Sequence, residues 1–230
     1  MRKWVLGYAL IMALTLLAAH WGSRTVTVFT ESSPPERSHI VIVDPGHGGV
    51  DGGATSCTGV LESRFNLEIG LRLRDLLEFL GHRTVIIRTE DISVYTKGET
   101  IAQKKASDLK ERVRIVNEAE NGILLSIHQN NFGDSRYSGA QVFYAATEGS
   151  QSLARELQSA LVSHLNPESH RKEKKSSGIY LMEHIACPGV LIECGFLSNP
   201  EEEARLRSAG YQKHLSAVIA CTLSKYLSNT

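Results

Sequence analysis

The chain lacks any imbalance of charge: 25 Lys and Arg residues face 25 Asp and Glu over 230 residues, for a formal net charge of zero. With no basic excess to displace counterions from a polyanion, nucleic acid is excluded as the main partner. The one short basic run, Arg171-Lys172-Glu173-Lys174-Lys175, reads as a solvated loop. Cysteine is also scarce. Cys57, Cys187, Cys194 and Cys221 are too scattered for a disulfide framework or a structural zinc knuckle; they read as unpaired thiols, with a single disulfide as the alternative for an exported chain. Internal repeats and low-complexity segments are absent. What remains is enough chain for one sizeable α/β domain and too little for two.

The one long hydrophobic run lies at the N-terminus. Arg2 and Lys3 precede an unbroken apolar stretch from Trp4 to Ala19, and His20 and Arg24 return the chain to polarity. A charged flank before an apolar segment is the pattern of a secretory signal. At about 1.5 Å per residue the run falls short of a bilayer core of about 30 Å, although Trp21 and Gly22 extend it. Residues 1–22 are therefore either a cleaved signal peptide or a retained membrane anchor, with residues 4–21 as the span. In both cases the rest of the chain is exported. Residues 23–38, rich in Ser, Thr and Pro, read as a linker, and 39–230 as the catalytic domain.

Within that domain the strands announce themselves as short apolar runs. His39 to Asp44 is the first, and its continuity suits a strand covered on both faces. Phe65, Ile69, Leu73, Leu76, Leu77 and Leu80 mark a helix over 62–80 that Gly81 closes. Arg83 to Arg88 reads as a strand, 107–120 as a helix, Ile123 to His128 and Ala140 to Ala145 as strands. A helix over 150–165 follows, then strands at Ile179 to Met182 and Val190 to Cys194, and a final helix over 211–227. This alternation predicts an α/β domain with a mainly parallel, twisted sheet of about six strands flanked by helices.

Three segments place polar, metal-competent residues where apolar strands end: Asp44-Pro45-Gly46-His47-Gly48-Gly49, Ser126-Ile127-His128-Gln129-Asn130, and Leu191-Ile192-Glu193-Cys194-Gly195-Phe196. Open α/β sheets bind ligands at the carboxyl ends of their strands. If the three strands run parallel, His47, His128 and Glu193 meet at one edge. Catalytic zinc takes three protein ligands from His and Glu and keeps a fourth position open. His47, between two glycines that permit close approach, and His128 supply two of these ligands. Glu62, at the start of the first helix, is the expected third, with Glu68 one turn further on as its competitor. Glu193 ends a buried strand, a costly place for a carboxylate without a partner or a task, and is the expected catalytic acid and base. The other histidines read as bland surface or core residues. Asp51, Gly52-Gly53 and Asp44-Pro45-Gly46 read as turn residues.

Taken together, Val43 to Gly49, Glu62 with Asn66-Leu67, Ser126 to Asn130, and Glu193 to Asn199 closely resemble the zinc N-acetylmuramoyl-L-alanine amidases of the amidase-3 type. Arg88 with Asp91 and Arg112 with Asn117 look like that family's intervening positions. The resemblance covers about 40–226. It implies Zn2+ held by His47, Glu62 and His128, Glu193 as acid and base, and cleavage between the lactyl carbonyl of N-acetylmuramic acid and the first L-alanine of peptidoglycan. Without wall-binding repeats, the chain looks similar to the germination-specific amidases of spore-forming bacteria, which prepare cortex peptidoglycan for muramic-δ-lactam. An activating protein partner is a further expectation. The polar stretch Thr96 to Ser107 departs from the family pattern and is a candidate for reshaping the groove or meeting that partner. No autoinhibitory helix is evident between His128 and Glu193.

Overall fold

The computed structural model describes residues 39–229. The expected signal or anchor over 1–22 and the linker over 23–38 lie outside the described residues. Among the described residues no helix is long and apolar enough to cross a membrane.

Twelve elements follow one another: β1 (Ile40–Pro45), α1 (Glu62–Phe79), β2 (Arg83–Ile86), α2 (Ile101–Glu118), β3 (Gly122–Asn130), β4 (Gln141–Tyr144), α3 (Ser150–Leu165), β5 (Lys174–Lys175), α4 (Tyr180–His184), β6 (Gly189–Phe196), α5 (Pro200–Arg207) and α6 (Ala209–Ser228). They build one six-stranded sheet in the order β2-β1-β3-β6-β4-β5. The four strands β2, β1, β3 and β6 run parallel, and β4 returns antiparallel beside β6. The fold class expected from the sequence is therefore the one observed.

The continuous apolar strands are buried on both faces because helices cover both. Val41, Val43, Ile123, Leu125, Val190 and Ile192 pack on one side with Phe65, Ile69, Leu73 and Leu77 of α1 and with α3 and α6. Their neighbours Ile42, Leu124 and Leu191 point to the other face, against Val116 of α2 and Leu181, Met182 and Ile185. This period-two alternation leaves no polar face on the central strands.

Three local expectations need correction. Ile179 to Met182 is not a strand: residues 180–184 form the short helix α4. Leu181 and Met182 of the helix, with Ile185 just past its end, cap the second core, where strand alternation would have turned Leu181 and Met182 to opposite faces. Helix α2 starts at Ile101 rather than Ser107. Its first turns are largely exposed, so the apolar stripe misses them, but a capping box between Thr100 and Gln103 nucleates them. Lys174-Lys175, within the run read as a loop, adds an exposed edge strand beside β4. Helix α5 was not foreseen, although Asn199 caps it and Pro200 opens it.

Arg112 of α2 binds the sheet from one side. Its guanidinium pairs with Asp44 at the end of β1 and, at 2.6 Å, with Asp108 one turn earlier. All three side chains are largely buried, and Ser126 Oγ donates to Asp44 at 2.7 Å. Burial would raise the Asp44 carboxyl, yet Arg112 and Ser126 hold it below the ordinary range. Arg114, two residues on, pairs with Glu111 and Glu118 in solvent. Arg112→Met should therefore cost about 3–5 kcal/mol in chemical denaturation, because two buried carboxylates lose their cation. Arg114→Met, whose ion pairs lie in solvent, should leave the denaturation midpoint nearly unchanged. Equal costs would contradict this account of the buried pair.

Candidate metal centre

The loop after β1 carries His47, and its path is dictated by two buried arginines. Arg88, just beyond β2, donates to Pro45 O at 2.9 Å, Gly46 O at 3.0 Å and Ser63 O at 2.8 Å. Arg112 donates to Pro45 O at 3.1 Å and His47 O at 2.7 Å. Carbonyls that no strand or helix can satisfy thus find charged donors. So held, His47 adopts a left-handed backbone with φ of 60°. A non-glycine residue there costs of order 1 kcal/mol or more and persists only where its surroundings impose it.

Glu62 meets His47 from the start of α1. Its Oε2 lies 3.3 Å from His47 Nε2, and its Oε1 lies 3.0 Å from His128 Nδ1. Backbone amides of Ala54 and Gln129 and the Asn66 side chain also donate to this carboxylate. Burial would raise its pKa, but the two imidazoles overcome that and hold Glu62 far below the ordinary carboxylate range. Asn66 bridges to Gly46 O and accepts from Gln129, so α1, the β1 loop and the end of β3 are tied together behind Glu62. Glu68, the competitor, lies elsewhere: it pairs with Arg64 and accepts from Gln212.

Two glycines make this convergence sterically possible. A Cβ at Gly46 would lie 2.2–2.7 Å from the His128 ring, and one at Gly53 would lie 2.6 Å from Glu62 Oε2. Only a bare backbone lets the rings and the carboxylate come this close. The candidate donor atoms of His47, Glu62 and His128 all lie within 4.8 Å of one another. Two imidazole nitrogens facing one ionised carboxylate form the donor set of a catalytic zinc site, so these residues fit a divalent metal.

The sequence reading missed two contributors. Asp51, read as a turn residue, does bridge back to Gly48. Its carboxylate also takes His47 Nδ1 at 2.9 Å and Lys105 Nζ at 2.7 Å. A carboxylate behind a metal-competent imidazole orients the ring and fixes its tautomer. Lys105 comes from the polar stretch 96–107, half of which is the start of α2. The Arg88 and Arg112 anchor was visible only as a pair of familiar positions. Their companions Asp91 and Asn117 accept from Gly49 N and Ala186 N, holding loops on either side.

Glu193 completes the edge. It pairs in register with His128 on the neighbouring strand, so the two side chains leave the sheet on the same face. Its Oε2 is buried and has no hydrogen-bond partner. Burial pushes its pKa up to about 7, against the opposing pull of His128. A carboxylate poised near neutrality beside an acceptor-rich site can both take and return a proton.

Comparison with known proteins places the chain as a whole. Residues 41–225 match the profile of the N-acetylmuramoyl-L-alanine amidase family. The chain is 37% identical, over 84% of its length and 82% of the relative's, to the germination-specific N-acetylmuramoyl-L-alanine amidase of Bacillus subtilis. Among solved structures it superposes on the CwlD amidase of Clostridioides difficile, in complex with the GerS lipoprotein, with a TM-score of 0.80 at 36% identity, covering 83% of this chain and 99% of that one. An N-acetylmuramoyl-L-alanine amidase from Clostridium difficile 630 gives 0.72 at 30% identity, covering 84% and 98%.

The electrostatics of the metal-free site carry a pH signature. Burial lowers the His47 pKa, but Asp51 and Glu62 more than reverse this, raising it from 6.5 to about 9. Protonated His47 therefore stabilises the metal-free fold fully below about pH 6.5, and that contribution disappears as pH rises through about 9. Denaturation midpoints of metal-stripped protein should fall across this window, and Asp51→Asn should flatten the fall. A wild-type profile that stays level or rises there would contradict the pairing.

Proposed function

The chain belongs to the N-acetylmuramoyl-L-alanine amidase family, and from that premise we propose that it is a zinc-dependent peptidoglycan amidase acting outside the cytoplasmic membrane, in the maturation of spore cortex. The observation that carries the metal reading is the convergence of two imidazoles on the ionised Glu62, with Glu193 unpartnered beside them. The germination-specific relative supports a task in the spore cycle; cortex maturation, with muramic-δ-lactam as the downstream product, is what the family resemblance adds. The apolar segment over 4–21 supplies export or anchoring. A protein partner, by analogy with the lipoprotein complex of the CwlD relative, is part of the same proposal.

Zinc held by His47, Glu62 and His128 would polarise the scissile carbonyl and lower the pKa of water towards about 7. The chain's own groups do the remaining work. Asp51 holds His47 by Nδ1, so that Nε2 faces Glu62. Asn66 and the Gln129 amide fix the Glu62 carboxylate. Glu193 takes the proton of the attacking water and later delivers a proton to the departing L-alanine nitrogen. The C–N bond breaks, the lactyl carbon ends as a carboxylic acid, and the stem peptide leaves with a free amine.

These roles separate in one set of variants. His47→Ala, Glu62→Ala and His128→Ala should each lose most bound zinc, whereas Glu68→Ala should keep it. Glu193→Gln should keep zinc and lose about 10²–10⁴-fold in release of stem peptide from peptidoglycan. Metal analysis and product mass spectrometry on the same preparations read both quantities. Wild-type turnover by Glu193→Gln contradicts the shuttle role, and loss of its zinc would make Glu193 a ligand. Release of acetate instead of peptide would point to a sugar deacetylase.

A further inference from the structure

Beyond the metal centre, the same sheet edge carries an aromatic platform with no part in the chemistry above. The connection between β3 and β4 leaves Asn130, which pairs with Phe196 at the end of β6. On this base Tyr137 stacks on Phe196 with ring centroids 6.1 Å apart, and Phe132 meets Tyr137 edge-on at 4.9 Å. Phe196 is buried, but Phe132 and Tyr137 remain 53% and 46% exposed. The rings are not needed to close the loop, because polar bonds already do so. Phe132 N donates to Ser198 Oγ, Asn199 Nδ2 donates to Tyr137 O, and Gly139 N donates to the buried Glu202. Two large rings are thus left half in solvent beside a candidate catalytic edge.

Next to this loop lies an open groove of about 590 Å³, lined in part by Arg136, Ser138, Asn166, Asn199 and Arg205. It offers hydroxyl, amide and guanidinium groups together with the carboxylates of Glu201 and Glu202, all able to bond sugar hydroxyls, whereas the rings add apolar, electron-rich surface. A pyranose ring asks for this combination. Its axial C–H bonds form a neutral face with partial positive charge that suits the negative face of an aromatic quadrupole. Its rim of hydroxyl and N-acetyl groups suits a polar groove.

We infer that Phe132 and Tyr137, with the groove beside them, form a subsite for the glycan strand, taking sugars next to the muramic acid whose amide is cut. This rests on the amidase reading, since that substrate brings a sugar chain to the edge. Phe132 lies four residues beyond His128, a reach of up to about 13 Å at about 3.3 Å per residue. Neighbouring sugars of a strand held at the metal centre therefore come within reach of the platform. Glycan length, not stem-peptide identity, is what it reads.

The test uses the full chain, insoluble glycan strands freed of stem peptides, and two substrates: polymeric peptidoglycan and a single muramoyl-peptide. Wild type should co-sediment with the peptide-free strands, and the Phe132→Ser, Tyr137→Ser double variant should not. Its KM on polymer should rise about fivefold or more, with turnover of the single muramoyl-peptide unchanged. Tyr137→Phe, which keeps the ring, should behave as wild type. Phe132→Leu keeps an apolar side chain at a half-exposed position and removes the ring face, so it should lose binding even if the double variant folds poorly. Equal glycan binding by wild type and Phe132→Leu overturns the subsite. So does a wild type that ignores the strands, which would leave the rings as a contact for protein. Binding is read without catalysis, so a wild type that retains glycan but cuts neither substrate would count against the amidase reading and in favour of the subsite.

Discussion

The site depends on one constraint: the carbonyls of residues 45–47 leave the sheet where no strand can satisfy them. Arg88 and Arg112 satisfy them instead, from the segment just beyond β2 and from α2. Buried guanidiniums are tolerable here because each binds several oxygens at once, and Arg112 also neutralises Asp44 and Asp108. This bracing holds His47 in a backbone conformation it would not choose. The sheet supplies direction, and the arginines supply position.

From that fixed loop the division of labour between two carboxylates follows. Glu62 is buried and Glu193 is partly so, with its Oε2 out of solvent, yet their neighbours drive them apart. Glu62 accepts from two imidazoles, two backbone amides and Asn66, and stays ionised. Glu193 has an unpartnered oxygen, and burial raises it to about 7. One is suited to hold a cation, the other to exchange a proton. This asymmetry comes from hydrogen-bond supply rather than from depth of burial.

Much of this was legible in the sequence because burial on both faces writes strands as unbroken apolar runs. Polar residues ending such runs, at His47, His128 and Glu193, then stand out against them. Glu62 could be preferred to Glu68 because the helix start faces the strand ends, and in the structure Glu62 reaches both histidines while Glu68 does not. The bond from Asp51 to His47 was hidden because an Asp among glycines makes a turn, and here it does both. Helix α4 was hidden because a short apolar run has no period of its own. The arginine bracing was hidden because a guanidinium's targets are distant carbonyls, which have no residue-type signature.

The braced loop brings His47 to Glu62 and His128, three groups that could hold a metal ion, and zinc is the ion proposed for them. Anomalous diffraction across the zinc edge, from crystals of zinc-loaded protein, tests it most directly. The account predicts one strong peak bounded by His47 Nε2, the Glu62 carboxylate and His128 Nδ1, with Glu193 outside the ligand set and both arginines still on the loop carbonyls. No peak at that position, or one held by Glu193 in place of Glu62, would contradict it.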